Sequence, residues 1–395
     1  MLRTTLLAIV LTLLSGCGES TAPAKDEAEP KTETTGNNRE SVEAEEPGSP
    51  LVSEDVLAVP QFEPAPVQWF EEWERNNPDP PEKTTERENA ETGRMFADSL
   101  KSNGNYAGAE KLYLEVLRTD PTYAFAAYQL ACNYELWGKH DDAVRCFEQA
   151  LELDFYDFPT ALSDDELGKI RKRPEFPRQL RILLDRYRNE VTPGTPLAVR
   201  PESEMPEAGY PVMLLLHGKG DSHLAWVENA QRWADMGFLA VAVPGSVPSG
   251  DGRYSWMMET TTATHRELQA IVTSELLEPL IDHSRVFLLG FSLGAMHGMV
   301  LVMDYPEEYR GVVAISPGGL LVNRLVRPEF SDSISGRVML VYGTQEVHGQ
   351  LVSVTSVACR NAGWKFRARS HPGGHHFPDS WDEMVLKIPA FLLEE

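Results

Sequence analysis

Basic residues are in short supply in this chain, with 36 Lys and Arg against 60 Asp and Glu and a formal charge of −24. Such a surface repels a phosphate backbone instead of neutralising it, which argues against nucleic acid as a partner. Cysteine is scarcer still, four in 395 residues. That is too few for a disulfide scaffold at this length, so each cysteine has to be read by its position. No group of histidines, cysteines and carboxylates has the spacing of metal ligands, and the glycine fingerprint of a phosphate-binding loop is missing. Neither a metal nor a cofactor is expected. No apolar run reaches the ~20 residues of a membrane-spanning helix. The length that remains is enough for two folded units.

Residues 1–17 carry one positive charge at Arg3, a short apolar stretch from Leu6 to Leu14, and the small residues Ser15 and Gly16 before Cys17. This is the pattern of an export signal. Leu14-Ser15-Gly16-Cys17 resembles the lipobox of bacterial lipoproteins, which implies that Cys17 is lipidated and anchors an exported protein at the cell envelope. Gly18 in the next position weakly favours the outer membrane. Residues 18–60 are rich in Glu, Thr, Pro, Ala and Ser and nearly free of aromatics, and hold about a third of the acidic excess, so they read as a disordered, extended tether. Residues 61–90 form a Pro-rich linker around the aromatic cluster Trp69, Phe70 and Trp73. Its plainest role is to dock on its own domain.

From 91 to 190 the sequence repeats with a period of 34 residues, pairing Gly104 with Gly138, Ala109 with Ala143, Tyr113 with Phe147, Leu117 with Leu151 and Asp120 with Asp154. The pattern resembles tetratricopeptide repeats, with Pro121 closing the first unit and Phe155 standing where the second would carry its proline. Two repeats are fewer than the three or so a solenoid needs, so the stretch before Glu91 and the segment 163–188 should supply further helices. Modules of this type imply a polypeptide partner on a concave face. Cys132 and Cys146 fall within the repeat helices, as free thiols or, in an exported compartment, as a disulfide.

Beyond 195 the pattern changes. Apolar runs at 211–216, 238–243, 286–289, 312–315, 338–342 and 366–369 alternate with helical patterns at 224–236, 264–280 and 295–305, the second of these opened by a capping Thr264. Alternation of this kind predicts an α/β domain with a mostly parallel sheet and ligands at the carboxyl ends of its strands. Four such ends bear chemistry. Val286–Leu289 runs into Gly290-Phe291-Ser292-Leu293-Gly294, a tight turn that pushes the serine hydroxyl out of the sheet. Val338–Tyr342 leads to Glu346, and Phe366–Arg369 leads to His371, His375 and His376. Serine, carboxylate and histidine in that order suit nucleophilic catalysis, the imidazole taking the serine proton and the carboxylate fixing its tautomer. After Met213–Leu216, the turn His217-Gly218-Lys219-Gly220-Asp221 offers backbone amides for an oxyanion, Lys219 first, with Leu293 as second donor. In the loop 244–256, Tyr254 and Trp256 are candidates for the wall of a substrate pocket, or else core residues.

These motifs resemble the α/β-hydrolases of the carboxylesterase, acyl-protein thioesterase and dienelactone hydrolase group. His217-Gly218-Lys219-Gly220-Asp221-Ser222 with Trp226 is similar to the oxyanion segment of the first two, and Gly374-His375-His376-Phe377-Pro378 to the histidine turn of predicted esterases. The resemblance implies a catalytic base at His375, with His217 stabilising its turn and His371 and His376 outside the triad. It also implies a small-molecule carboxylic ester as substrate. Glu346 departs from the aspartate usual in this group, which leaves Asp332 and Asp379 as outside candidates for the acid. Two other readings stand beside the esterase: a serine peptidase of the same fold, and an envelope scaffold that works through its repeats beside a weak or inactive hydrolase domain.

Overall fold

In the computed structural model, the described residues are 59–77, 85–250, 252–319, 321–346 and 349–394. The export signal, Cys17 and most of the acidic tether lie outside them. Among the described residues no helix is long and apolar enough to cross a membrane.

Six parallel strands form the body of the sheet: β3 (Tyr210–Leu216), β4 (Leu239–Val243), β7 (Ile281–Phe291), β8 (Gly311–Ile315), β9 (Arg337–Gly343) and β10 (Lys365–His371). The central ones read as unbroken apolar runs because both faces of a parallel sheet are covered. Alternate residues still part company. Val212, Leu214 and Leu216 enter one core with Leu268, Ile271, Met296 and Cys359, while Met213 and Leu215 enter the other with Trp233, Phe238, Val385 and Phe391. Each such side chain, fully buried, contributes roughly 1.5–3 kcal/mol.

With β1 (Gln68–Trp69) and β2 (Leu197–Val199) at one margin, the strand order is β1-β2-β4-β3-β7-β8-β9-β10. The chain therefore leaves β3 toward one flank to make β4 and returns to build β7 on the other, opening a crevice at the carboxyl ends of β3 and β7. The fold is that of an α/β-hydrolase. β1 and β2, which escape prediction from sequence, lie side by side at that margin with β1 outermost. The aromatic segment expected as a linker docks on the sheet, where β1 pairs with β2 through Gln68↔Leu197 and β2 runs antiparallel to β4. Val67 is buried in one core, and Phe70 and Trp73 pack against the other. The expected loop at 244–256 contains a hairpin of β5 (Val247–Gly250) and β6 (Arg253–Ser255).

Helix Thr262–Val272 starts earlier than expected and has Thr261 at its N-cap. Thr264 caps nothing; it lies inside the helix, fully buried, with its hydroxyl 2.9 Å from His297 Nδ1. The helix also stops short of Leu280: Thr273 is its C-cap, and Glu278–Leu280 form a separate 3-10 turn beyond it.

The repeats form two antiparallel helix pairs, Thr85–Ser102 with Tyr106–Thr119 and Ala124–Leu136 with His140–Glu152. Gly104 and Gly138 end the first helix of each pair at φ 75° and 81°. Ala109, Tyr113, Ala143 and Phe147 are fully buried between the helices. Phe155, in place of a closing proline, stacks on Tyr128 with ring centroids 4.4 Å apart and fills the core. Helix Phe176–Glu190 covers the second pair with Leu180, Leu183, Leu184 and Tyr187, which supplies the extra layer two repeats lack. Cys132, Cys146 and Cys359 are free thiols.

Candidate active site

Ser292 sits between the end of β7 and helix Leu293–Asp304 at φ 53°, ψ −118°. A side chain at positive φ stores roughly 1–3 kcal/mol of strain and persists only where its surroundings hold it. Here the Ser292 N–H donates to the Ile315 carbonyl at 3.0 Å, while its own carbonyl accepts from Met296 at 3.0 Å and from Gly318 at 3.1 Å. Both flanking glycines are required by contact. A Cβ on Gly294 would stand 2.2 Å from the Leu216 carbonyl, and one on Gly290 2.5 Å from the backbone of Gly294 and Ala295.

The expected carboxylate and histidine arrive at this serine. His375 Nε2 lies 2.9 Å from Ser292 Oγ, and His375 Nδ1 lies 2.8 Å from Glu346 Oε1. With Nδ1 protonated, the ring donates to the carboxylate and accepts from the hydroxyl. Glu346 is held in turn, its Oε2 accepting from Ser316 Oγ and from the Gly343 N–H, each at 2.7 Å. These bonds take up the extra methylene of glutamate, because the carboxylate folds back over the end of β9 instead of reaching straight across. Asp332 and Asp379 are exposed, and the histidine is paired with Glu346.

The turn after β3 runs along the other side of the serine: a Cβ on Gly218 would come within 3.2 Å of the Phe291 ring and 3.5 Å of Ser292 Cβ. Asp221 N–H donates to the Gly218 carbonyl at 3.3 Å, closing a β-turn with the Lys219 peptide at its tip and Gly220 at φ 68°. A turn of this kind needs positive φ at that third position. Leu293 begins its helix, so its N–H has no partner within the helix.

Sequence reasoning missed the segment after β8. Ser316 is buried at φ 46° and orients Glu346, while a Cβ on Gly318 would lie 3.9 Å from Ser292 Oγ and 3.8 Å from the His375 ring. The signal was present as Ser316-Pro317-Gly318-Gly319 at the carboxyl end of a predicted strand.

Other candidates stand apart from the hydroxyl. Trp256, expected as a pocket wall, is only 1% exposed and donates to the His217 carbonyl at 2.8 Å. It is a core residue, held inward because its indole satisfies a buried backbone oxygen. Tyr254 packs edge-on against His223 and under Gly194, facing the helical module. His217 is fully buried between the carbonyls of Gly218 and Pro244, and burial lowers its pKa. It braces the turn. His371 Nδ1 lies 2.9 Å from the Pro372 carbonyl and His376 Nδ1 lies 2.6 Å from that of Phe377. Among the described residues, the grouping of side chains close enough to share a metal is Cys132, Asp164 and Glu166 in the helical module, where the Lys101 ammonium already pairs with Glu166.

Residues 255–372 match the family described as Phospholipase/Carboxylesterase. The carboxylesterase-like match takes in Ser292 and Glu346 and stops three residues before His375. Residues 126–157 match the tetratricopeptide repeat. No curated protein sequence matches the chain. Among solved structures, the Bacillus cereus carboxylesterase is 17% identical, covering 52% of this chain and 96% of its own, with a TM-score of 0.38. The carboxylesterase from Mesorhizobium loti is 21% identical over 47% of this chain and 90% of its own, also at 0.38. An uncharacterized protein from Bacillus cereus ATCC 10987 spans more, 77% of this chain and 98% of its own, at 13% identity and a TM-score of 0.39.

Proposed function

We propose that this chain is a serine hydrolase that cleaves small carboxylic esters through an acyl-serine intermediate. One observation carries the reading: a serine hydroxyl held at a strained turn, 2.9 Å from an imidazole that is itself 2.8 Å from an anchored carboxylate. Ser292 attacks the ester carbonyl as His375 Nε2 takes its proton, and Glu346 stabilises the imidazolium that forms. The backbone N–H groups of Lys219 and Leu293 receive the developing oxyanion, and His375 returns the proton to the departing alcohol. Water then enters by the same route and frees the acid. His375 is about half exposed, so the site is open to solvent. The repeats would serve a polypeptide partner, and a lipid on Cys17 would hold the enzyme at the bacterial cell envelope.

The test is a fluorophosphonate probe with p-nitrophenyl acetate turnover, on protein lacking residues 1–17. Wild type should label and turn over, while Ser292→Ala should keep its thermal unfolding and lose turnover by roughly 10⁴-fold or more. A folded wild-type protein that neither labels nor turns over would sink the esterase in favour of the scaffold.

A further inference from the structure

The repeat module touches the hydrolase domain at a chemically informative place. Arg253, at the start of β6, reaches two ways: Nη2 pairs with Glu91 Oε1 of the first repeat helix at 2.9 Å, and Nη1 donates to the Gly220 carbonyl at 3.3 Å. Gly220 is the residue after Lys219 in the turn beside Ser292. The next residue in each segment is joined as well, since Tyr254 N–H donates to the Asp221 carbonyl at 2.8 Å. Asp221 is further fixed by Trp226, whose indole nitrogen lies 3.2 Å from Oδ2. A second link runs in parallel. Lys219 lies within electrostatic reach of Asp157, which caps helix Phe158–Ser163, and that helix packs on β5.

A two-residue turn with glycine on both sides of Lys219 has little stiffness of its own. The peptide N–H at its tip must nevertheless be aimed to within a few tenths of an ångström to stabilise an oxyanion. The bracing comes from the hairpin, and the hairpin is braced by the repeats. We propose that Arg253 is a positioning residue, and that through the relay Glu91–Arg253–Gly220 the repeat module holds the oxyanion turn in its working geometry. The relay rests on the esterase reading above. It gives the repeats a catalytic consequence: whatever shifts the helix bearing Glu91 shifts the turn.

An ordinary surface ion pair adds little to stability and nothing to catalysis. Steady-state kinetics on Glu91→Gln, Arg253→Met and the double variant separate that case from the relay, with thermal unfolding measured alongside. The relay predicts kcat reduced about tenfold in Arg253→Met and about threefold in Glu91→Gln, with KM within about twofold of wild type. It also predicts a double variant no worse than Arg253→Met alone, because both act through one contact. Arg253→Lys, which keeps the charge but cannot span both acceptors, should fall between wild type and Arg253→Met. Should Arg253→Met fail to fold, Glu91→Gln decides alone. Variants that match wild-type kcat while Ser292→Ala abolishes turnover would overturn the relay and leave the esterase standing. Wild-type protein without turnover or labelling overturns both.

Discussion

The glycines that end the repeat helices and the glycines packed around the site do different jobs. In the helical module, a Cβ on Gly104 or Gly138 would meet nothing within 4 Å; both are there for their positive φ at the end of a helix. In the hydrolase domain, Gly290, Gly294 and Gly343 are walled in by backbone, with added Cβ atoms 2.2–2.5 Å from the nearest carbonyl or nitrogen. The first kind shapes the chain locally, and the second lets separate segments come into contact. Repeats therefore absorb change one hairpin at a time, whereas the site depends on contacts that fail together.

Substitutions can break or sharpen that contrast. Gly294→Ala should do the most damage, because its methyl would strike the Leu216 and His217 carbonyls and push the helix off the strand end. Turnover should fall by more than about 100-fold, and unfolding should move down by several kcal/mol, as for an overpacked core. Glu346→Gln should follow, with kcat reduced roughly 10²–10⁴-fold and little change in melting temperature, since the amide still packs but no longer fixes the imidazole. An undiminished kcat there would remove Glu346 from the mechanism.

Glu267 makes an intermediate test. It is buried beside the β4 turn, with one carboxyl oxygen unpartnered, and burial raises its pKa to about 8. A carboxyl whose folded pKa exceeds its unfolded one favours folding below the unfolded value, and that contribution is lost as pH rises through the folded value. Stability carried by Glu267 should accordingly decline from about pH 4.5 to 8, by on the order of 3–5 kcal/mol. Chemical denaturation of Glu267→Gln across that range should show a flatter profile, and an unchanged slope would count against a neutral buried acid. The smallest effect belongs to Gly104→Ala, with about 1 kcal/mol lost and turnover as in wild type. A loss of activity there would mean the two halves are coupled through the first repeat more tightly than their glycines suggest.

What the sequence shows of this structure follows from how local each signal is. The parallel strands announce themselves because two buried faces leave no room for polar residues, as in Tyr210–Leu216. The 34-residue period is visible because each repeat packs on its neighbour in the same way. Serine, carboxylate and histidine, each just past a strand end, are brought together by the order of strands alone. Ser316 was legible only as part of a turn after a strand, since its bond to Glu346 comes from β9 lying alongside. β1 is two residues long and pairs with a partner more than a hundred positions away, so no local pattern marks it. The core alternative for Trp256 and the burial of Thr264 rest on a related cause: each side chain finds a buried hydrogen-bond partner in a distant segment.

The pairing of β1 with β2 has a mechanical side. The chain enters the hydrolase sheet at Gln68, leaves it to build the whole helical module, and returns at Leu197 to the strand it has just adjoined, with the Gln68 N–H on the Pro196 carbonyl at 3.0 Å. The repeats are thus a loop spliced into the sheet's edge, gripped at both ends. A pull from the amino-terminal side meets Phe62 first, edge-on against Tyr187 and with its carbonyl accepting from Arg266, and then the short β1–β2 zipper with Phe70 and Trp73 in the core. The helix bearing Glu91 lies beyond that zipper in the chain, so its grip on Arg253 is loaded only once the zipper opens.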